Sequence, residues 1–393
     1  MRTTTNKNCK SGAALLIVLF VIMVITLVGM GFIAKTDSEL ACGNNMVLRT
    51  QMDNLAKSGL EHARGLLINP WDVSVSSGKY WLGQTAIQFD GGNDYYDIEI
   101  VKDSTGTTPR SQYSITSTGY RMRNGEVVGQ SSLNAKLRFD PAVAIWCESA
   151  LYLGNGFTIN GDVYSQMSLD NFEATINGDV YTNDSVNNFG TITGQTTVDY
   201  TFKPVEFSNI NYADFTTSYK YEDGSTYSVT VKAPDTYSNQ TWNYSTSNPA
   251  GVFYCNGNLT LNGNMTINGM LVVNGLLTIA GTGNTIVAVR NYPAVVINGW
   301  DGLMINSGTA LTVNGLVQIQ SGISFGATNV NVRINGALCV QFGPIFPFTS
   351  DMGSFAVNAD PIESAIQIWP SSTPGQPYRW VSAGGAYIKN VSR

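Results

Sequence analysis

Asn258 to Gly281 reads NLTLNG-NMTING-MLVVNG-LLTIAG, four hexads in a row. Each carries two apolar residues two positions apart, then Asn-Gly or Ala-Gly. Side chains two apart on a strand share a face. Asn and Gly accept positive φ, so they turn the corner after each short strand. Because the repeat is even, every strand returns with the same face inward, as stacked coils around one apolar column require. A meander of hairpins could use the same Asn-Gly turns. Strands of about four residues are short for that, so a β-solenoid (β-helix) is the expected fold.

The pattern extends in both directions. Upstream, Phe157-Thr-Ile-Asn-Gly-Asp-Val-Tyr164 recurs seventeen residues later as Ala174-Thr-Ile-Asn-Gly-Asp-Val-Tyr181. Looser copies lie at Val295–Gly299, Ala310–Gly315 and Val332–Gly336. The solenoid is therefore placed at 141–342. An aromatic-rich stretch, 195–250, interrupts it. Its rings either pack along the solenoid flank or act as platforms for a sugar. The tail, 343–393, lacks hexads, and its prolines with Trp369 and Trp380 suggest a segment capping the open end of the solenoid.

Residues 69–140 read as a small α+β head. Tyr96–Lys102, Gln112–Met122 and Val127–Arg138 are rich in β-branched or aromatic residues. Arg123-Asn124-Gly125-Glu126 is a hairpin turn signal, and Phe139-Asp140-Pro141 marks the domain boundary.

Ahead of the head lies an apolar run. Ser11 to Ala34 contains no charged residue. Ala13–Ala34, as a helix, would span about 33 Å, enough to cross a bilayer core. The leader at 1–12 holds Arg2, Lys7 and Lys10 and no acid. A secretory signal would place a small-residue cleavage site after the run, but Lys35 follows directly. The helix continues instead: Leu48, Met52, Leu55, Gly59, Ala63 and Leu66 fall on one face. One helix over 13–68 is expected, with 13–34 membrane-spanning, ending before Pro70.

Gly12-Ala13-Ala14-Leu15-Leu16, Ile25-Thr26-Leu27 and Ala56-Lys57-Ser58-Gly59-Leu60-Glu61-His62-Ala63 together resemble the amino-terminal module of PilX-type minor pilins and pseudopilins. Tyr113–Tyr120 is similar to a strand of pilin-type heads, and the stretch around Gly251–Gly257 resembles the β-helical region joined to such termini. The resemblance implies an α+β pilin-like module, a long helix with a small antiparallel sheet, followed by an all-β solenoid. It also implies cleavage after Gly12 by prepilin peptidase and methylation of the new amine at Ala13. The chain would be a single-pass protein of the bacterial inner membrane, its C-terminal part outside the cytoplasm. Through its helix it would then join other pilins or pseudopilins in a type IV pilus or type II secretion-like filament. Ile17 stands at the fifth mature position, where most pilins carry Glu, and this points to a minor or tip subunit.

Charged residues make up only 13% of the 393, and Gly numbers 40. That suits a turn-rich β protein outside the cytoplasm. The formal charge is −6, with no basic block, which excludes nucleic acid as a partner. Cys9 leaves with the leader. Cys147, Cys255 and Cys339 form no metal motif; they are buried small hydrophobes or, in an oxidising compartment, disulfide candidates.

No catalytic constellation emerges, and no cofactor motif does. The single histidine, His62, lies on the helix. Between Asn256 and Val340 only Arg290, Asp301 and Arg333 are charged, which is sparse for the paired carboxylates of a glycan-active β-helix. Asp162 and Asp179, at matching places in the first repeat pair, are the weak candidates for calcium. The expectation is a non-enzymatic filament subunit displaying its solenoid, with a surface or glycan ligand open. A membrane-tethered glycan-active enzyme and an anchored structural protein are the alternatives.

Overall fold

The computed structural model describes residues 9–68, 83–102, 112–139, 142–199, 209–221, 223–326, 328–342, 353–360, 366–368, 378–380 and 386–392. Helix α1 runs unbroken from Cys9 to Ile68. Its leading half exposes a continuous set of large apolar side chains from Leu15 to Ile33, and it is long and apolar enough to cross a membrane. Its trailing half is amphipathic. Met52, Leu55, Ala56, Leu60, Ala63 and Leu67 are buried against the head sheet, with Leu48 and Leu66 partly buried beside them. The leader up to residue 8 and the region of Pro70 lie outside the described residues.

The head sheet is antiparallel, with β1 (Gly83–Gln88), β2 (Asp94–Lys102), β3 (Gln112–Arg123) and β4 (Glu126–Phe139) in that order. The last three match the expected strands; β1 carries too little periodicity to be read from sequence. Between β3 and β4, Asn124 and Gly125 have φ of 54° and 85°. Positive φ at both central residues makes the turn whose twist suits a hairpin. The helix seats closely on β3. A Cβ on Gly119 would stand 2.6 Å from Met52 O and 2.8 Å from Ala56 N, so only glycine permits this approach.

The second unit is a parallel β-solenoid of about nine turns. Its repeat unit is larger than the hexad. Val252–Asn256, Leu259–Asn262 and Thr266–Asn268 form one coil. Met270–Asn274, Leu277–Ala280 and Asn284–Val287 form the next, with Val252 over Met270, Leu259 over Leu277 and Thr266 over Thr285. Three hexads thus make one turn. The inward apolar positions Leu259, Leu261, Ile267, Leu271, Val273, Leu277 and Ile279 are all buried in one column. The seventeen-residue repeat is likewise one coil, with Thr158 over Thr175 and Val163 over Val180. At Gly269 the corner turns with φ of 151° and lies so close to Gly251 that an added Cβ would collide with that backbone.

The coils are not stacked in chain order. The chain joins the stack at Val143–Cys147 and winds outward to Thr196–Val198. Residues from Ile210 to Val229 pack along the outside, and coiling resumes at Thr230–Lys232, which stacks on Val252–Asn256. From there it winds back. Val330–Val340 reaches the first strand, Leu338 beside Ile145, and Gly353–Ala359 seats on Phe157–Asn160, Phe355 beside Phe157. The last and first coils therefore meet at a seam in mid-stack.

This arrangement corrects the reading of 343–393 as a cap. Gly353–Ala359 is a strand within the solenoid, and Ala386–Ser392 adds to the head sheet beside β4. Trp369 lies outside the described residues, and Trp380 is on a strand pairing with Ile366–Ile368. Because both ends of the solenoid segment return to the head, the head closes around an inserted solenoid. The two units are pinned where the Tyr113 hydroxyl of β3 donates to Asp360 Oδ1 at 2.9 Å, both groups buried.

Candidate functional surfaces

The Gly12–Ala13 bond lies within α1, and Ile17 is exposed on it. The exposed apolar half of α1, Leu15 to Ile33, is a continuous apolar surface.

Asp162 and Asp179 do fall on adjacent coils, as the repeat spacing implies. Their carboxylates face backbone amides. Asp162 accepts from Ala142 N at 2.7 Å and from Asp179 N at 2.9 Å, and Asp179 accepts from Gln195 N at 2.7 Å. Each side chain thus satisfies an amide at a corner where the ladder bends. Among the described residues no cluster of three or more His, Cys, Asp or Glu could hold a metal ion.

The disulfide candidates are not joined. Cys147, Cys255 and Cys339 are free thiols. Cys147 and Cys255 point into the apolar column, while Cys339 points the other way, beneath the external crossover. Alternation along the strand explains this: Cys339 lies beside Trp146, one residue out of step with Cys147. Burial pushes all three thiols above their ordinary pKa, so they are weak nucleophiles.

The aromatic insertion packs on the solenoid flank. Ile210, Phe215 and Tyr219 are buried over outward-facing Val143, Trp146, Tyr164, Val252, Tyr254 and Val272. Gln318 brackets the crossover, donating to Ile210 O and accepting from Ile210 N, both at 2.9 Å. The buried rings therefore bind the two halves of the stack together, while Tyr244 is exposed and Phe202 and Phe207 lie outside the described residues. Trp242 is also buried, with the Lys232 ammonium 4.3 Å from its ring centre.

His62 is part-buried where α1 meets the sheet, 2.9 Å from the Tyr96 hydroxyl through Nδ1. Burial holds its pKa below the ordinary value. The contact ties α1 to β2.

Sequence reasoning missed the exposed aromatics of the solenoid edge, Trp300 and Phe342. A signal was present: Trp300 follows Asn298-Gly299, a corner of the repeat, where no inward side chain is needed.

No family model matches this chain, and no curated protein does. Among solved structures the chain is similar to the competence-associated pilin ComZ from Thermus thermophilus, at 10% identity and a TM-score of 0.22, over 88% of this chain and 97% of that one. A superposition that loose carries no argument about function.

Proposed function

We propose that the chain is a non-enzymatic minor pilin or pseudopilin, a tip-type subunit of a type IV pilus or type II secretion-like filament, which carries its solenoid for recognition or assembly. One observation supports this above the rest. A single helix is apolar and fully exposed over Leu15–Ile33, yet is rigidly seated by its other half on a small antiparallel sheet. An anchor alone needs only the first part. A helix that also positions a folded head can be drawn from the membrane into a bundle of like helices, where packing replaces lipid contact.

On this reading prepilin peptidase cuts after Gly12, and Ala13 becomes the methylated amine. Ile17 leaves no carboxylate to compensate a neighbour's amine, which suits a position without a preceding subunit. The test is the amino-terminal sequence of the protein made with and without prepilin peptidase. Peptidase-dependent appearance of Ala13 supports the proposal; a chain that keeps its leader in both cells sinks it.

A further inference from the structure

Asn-Gly turns the corners of the solenoid, and it is also the dipeptide most open to attack by its own backbone. The glycine nitrogen can reach the preceding side-chain amide, because glycine adds no side chain in the way and its backbone rotates freely. The sequence holds eleven such pairs, beginning at Asn124, Asn155, Asn160, Asn177, Asn256, Asn262, Asn268, Asn274, Asn298, Asn314 and Asn335. All but the first lie in the solenoid; Asn124-Gly125 is the turn between β3 and β4 of the head.

Each solenoid pair is held. Side-chain ladders fix Asn160, Asn177, Asn314 and Asn335. Asn274 donates to Asn256 at 2.9 Å, Asn298 to Asn274 at 3.0 Å and Asn268 to Asn243 at 2.7 Å. Beside Asn262, Gly263 N donates to Ala280 O at 2.9 Å; beside Asn155, Gly156 O accepts from Phe355 N at 3.1 Å. The corners are also crowded: a Cβ on Gly178, Gly299 or Gly336 would collide with the backbone of the adjacent coil. Asn124-Gly125 differs. Both residues are exposed at the hairpin tip, and a Cβ on Gly125 would meet nothing within 4 Å. Among the described residues none bonds the Asn124 side chain.

We infer that Asn124 is a site of spontaneous deamidation and isoaspartate formation, the Asn-Gly that the fold leaves reactive. The Gly125 nitrogen bonds to Asn124 Cγ, and the Cγ–Nδ2 bond breaks. The proton lost from Gly125 passes through water to the leaving ammonia, and a five-membered succinimide remains. Water then opens the ring at either carbonyl. Opening at Cγ restores the main chain with Asp at position 124. Opening at the α-carbonyl routes the chain through the side-chain carbonyl, with one extra methylene. Either product carries an acid in place of an amide. The second cannot keep a turn that needs positive φ at two successive residues. The strand leaving that turn seats α1: a Cβ on Gly129 would stand 2.7 Å from Leu48 Cδ2. Ageing at Asn124 thus loosens the head where the helix rests on it.

Full-length protein in detergent micelles is aged at neutral pH, one sample folded and one in denaturing urea. Peptide mapping follows each Asn-Gly by the mass gain of amide turning to acid, and isoaspartyl methyltransferase labelling identifies the rearranged product. Unfolded, all eleven pairs should react at comparable rates. Folded, Asn124 should outpace every solenoid pair by at least about tenfold, since an exposed hairpin tip opens locally more readily than stacked coils. A smaller lead, or a solenoid pair that reacts faster, overturns the inference. Asn124→Gln, whose longer side chain closes its ring slowly, should abolish the fast reaction and leave the circular dichroism spectrum unchanged. A fast mass gain that persists in the same peptide of that variant overturns the assignment to Asn124. In aged wild type, limited proteolysis near Leu48 should quicken in step with isoaspartate content. Digestion that stays unchanged once most chains carry isoaspartate overturns the link to α1.

Discussion

Asn160 donates its side-chain N–H to Asn358 Oδ1 at 2.7 Å across 198 residues of sequence. The bond lies on the seam where the last coil of the solenoid meets the first. It is one link of a ladder: Asn177 donates to Asn160 at 2.8 Å, Asn358 to Asn335 at 3.0 Å and Asn335 to Asn314 at 2.8 Å. Every amide points the same way, so the dipoles reinforce one another, and the ladder runs through the seam without a break.

Asn358 is buried, and replacing it by Ala removes two links at once. Asn358→Ala should cost about 1–3 kcal/mol, the range for stranding buried polar groups. Asn243 donates nothing to the seam; it accepts from Asn268 at an exposed corner, and Asn243→Ala should cost well below about 1 kcal/mol. Urea unfolding of both variants checks this. Equal losses would show that the seam bond has no special weight.

Gly119→Val tests how α1 is held. The new side chain has to enter the space of the Met52 carbonyl and the Ala56 amide. Overpacking of this kind costs about 1–3 kcal/mol, and the helix should loosen before the sheet does. Limited proteolysis should then cleave within residues 52–67, with the solenoid left intact. An unchanged digestion pattern would show that the helix tolerates a different seat.

Asp162 is predicted to act through backbone amides, not through a cation. Both of its oxygens accept N–H groups, and an amide side chain would set its own NH₂ against one of them. Asp162→Asn should therefore lower the unfolding midpoint more than Asp170→Asn, whose carboxylate faces the exposed Asn187. Millimolar Ca²⁺ should leave the wild-type midpoint where it was. A calcium-dependent rise that Asp162→Asn abolishes would restore the metal reading.

His62 gives the head a pH dependence of defined sign. Burial lowers its pKa in the folded protein, so on acidification the unfolded chain binds the proton first. Stability is lost as pH falls through the ordinary histidine range near 6.5 and levels once the folded form is protonated. Wild type should lose ground to His62→Gln between pH 8 and pH 5 in thermal unfolding. A gap that stays constant would mean that the imidazole titrates alike in both states.

Much of the architecture is legible locally. The hexads of 258–281 define strands that bury Leu259, Leu261 and Ile267, and the face of Met52, Leu55 and Ala63 is the one α1 buries. The Asn124-Gly125 turn is also readable, because positive φ at two successive residues has a sharp residue preference. The functional surfaces are less legible. Cys147 and Cys339 are indistinguishable as buried thiols until strand register shows that they face opposite ways. The aromatics of 195–250 look alike in sequence whether they pack inward or stand in solvent.

The sequence by itself determined the long helix, the hairpin head and the presence of a solenoid, because each depends on periodicity or turn chemistry within a few residues. Only the tertiary structure decided which coil lies on which. Hexads that share one inward pattern fit one another almost interchangeably, and parallel strands have no tight turn to fix their partner. The order was settled by contacts distant in sequence: Phe355 on Phe157, Asn160 with Asn358, and Gln318 holding Ile210. Those contacts place the chain's entrance to the solenoid and its exit side by side at the seam.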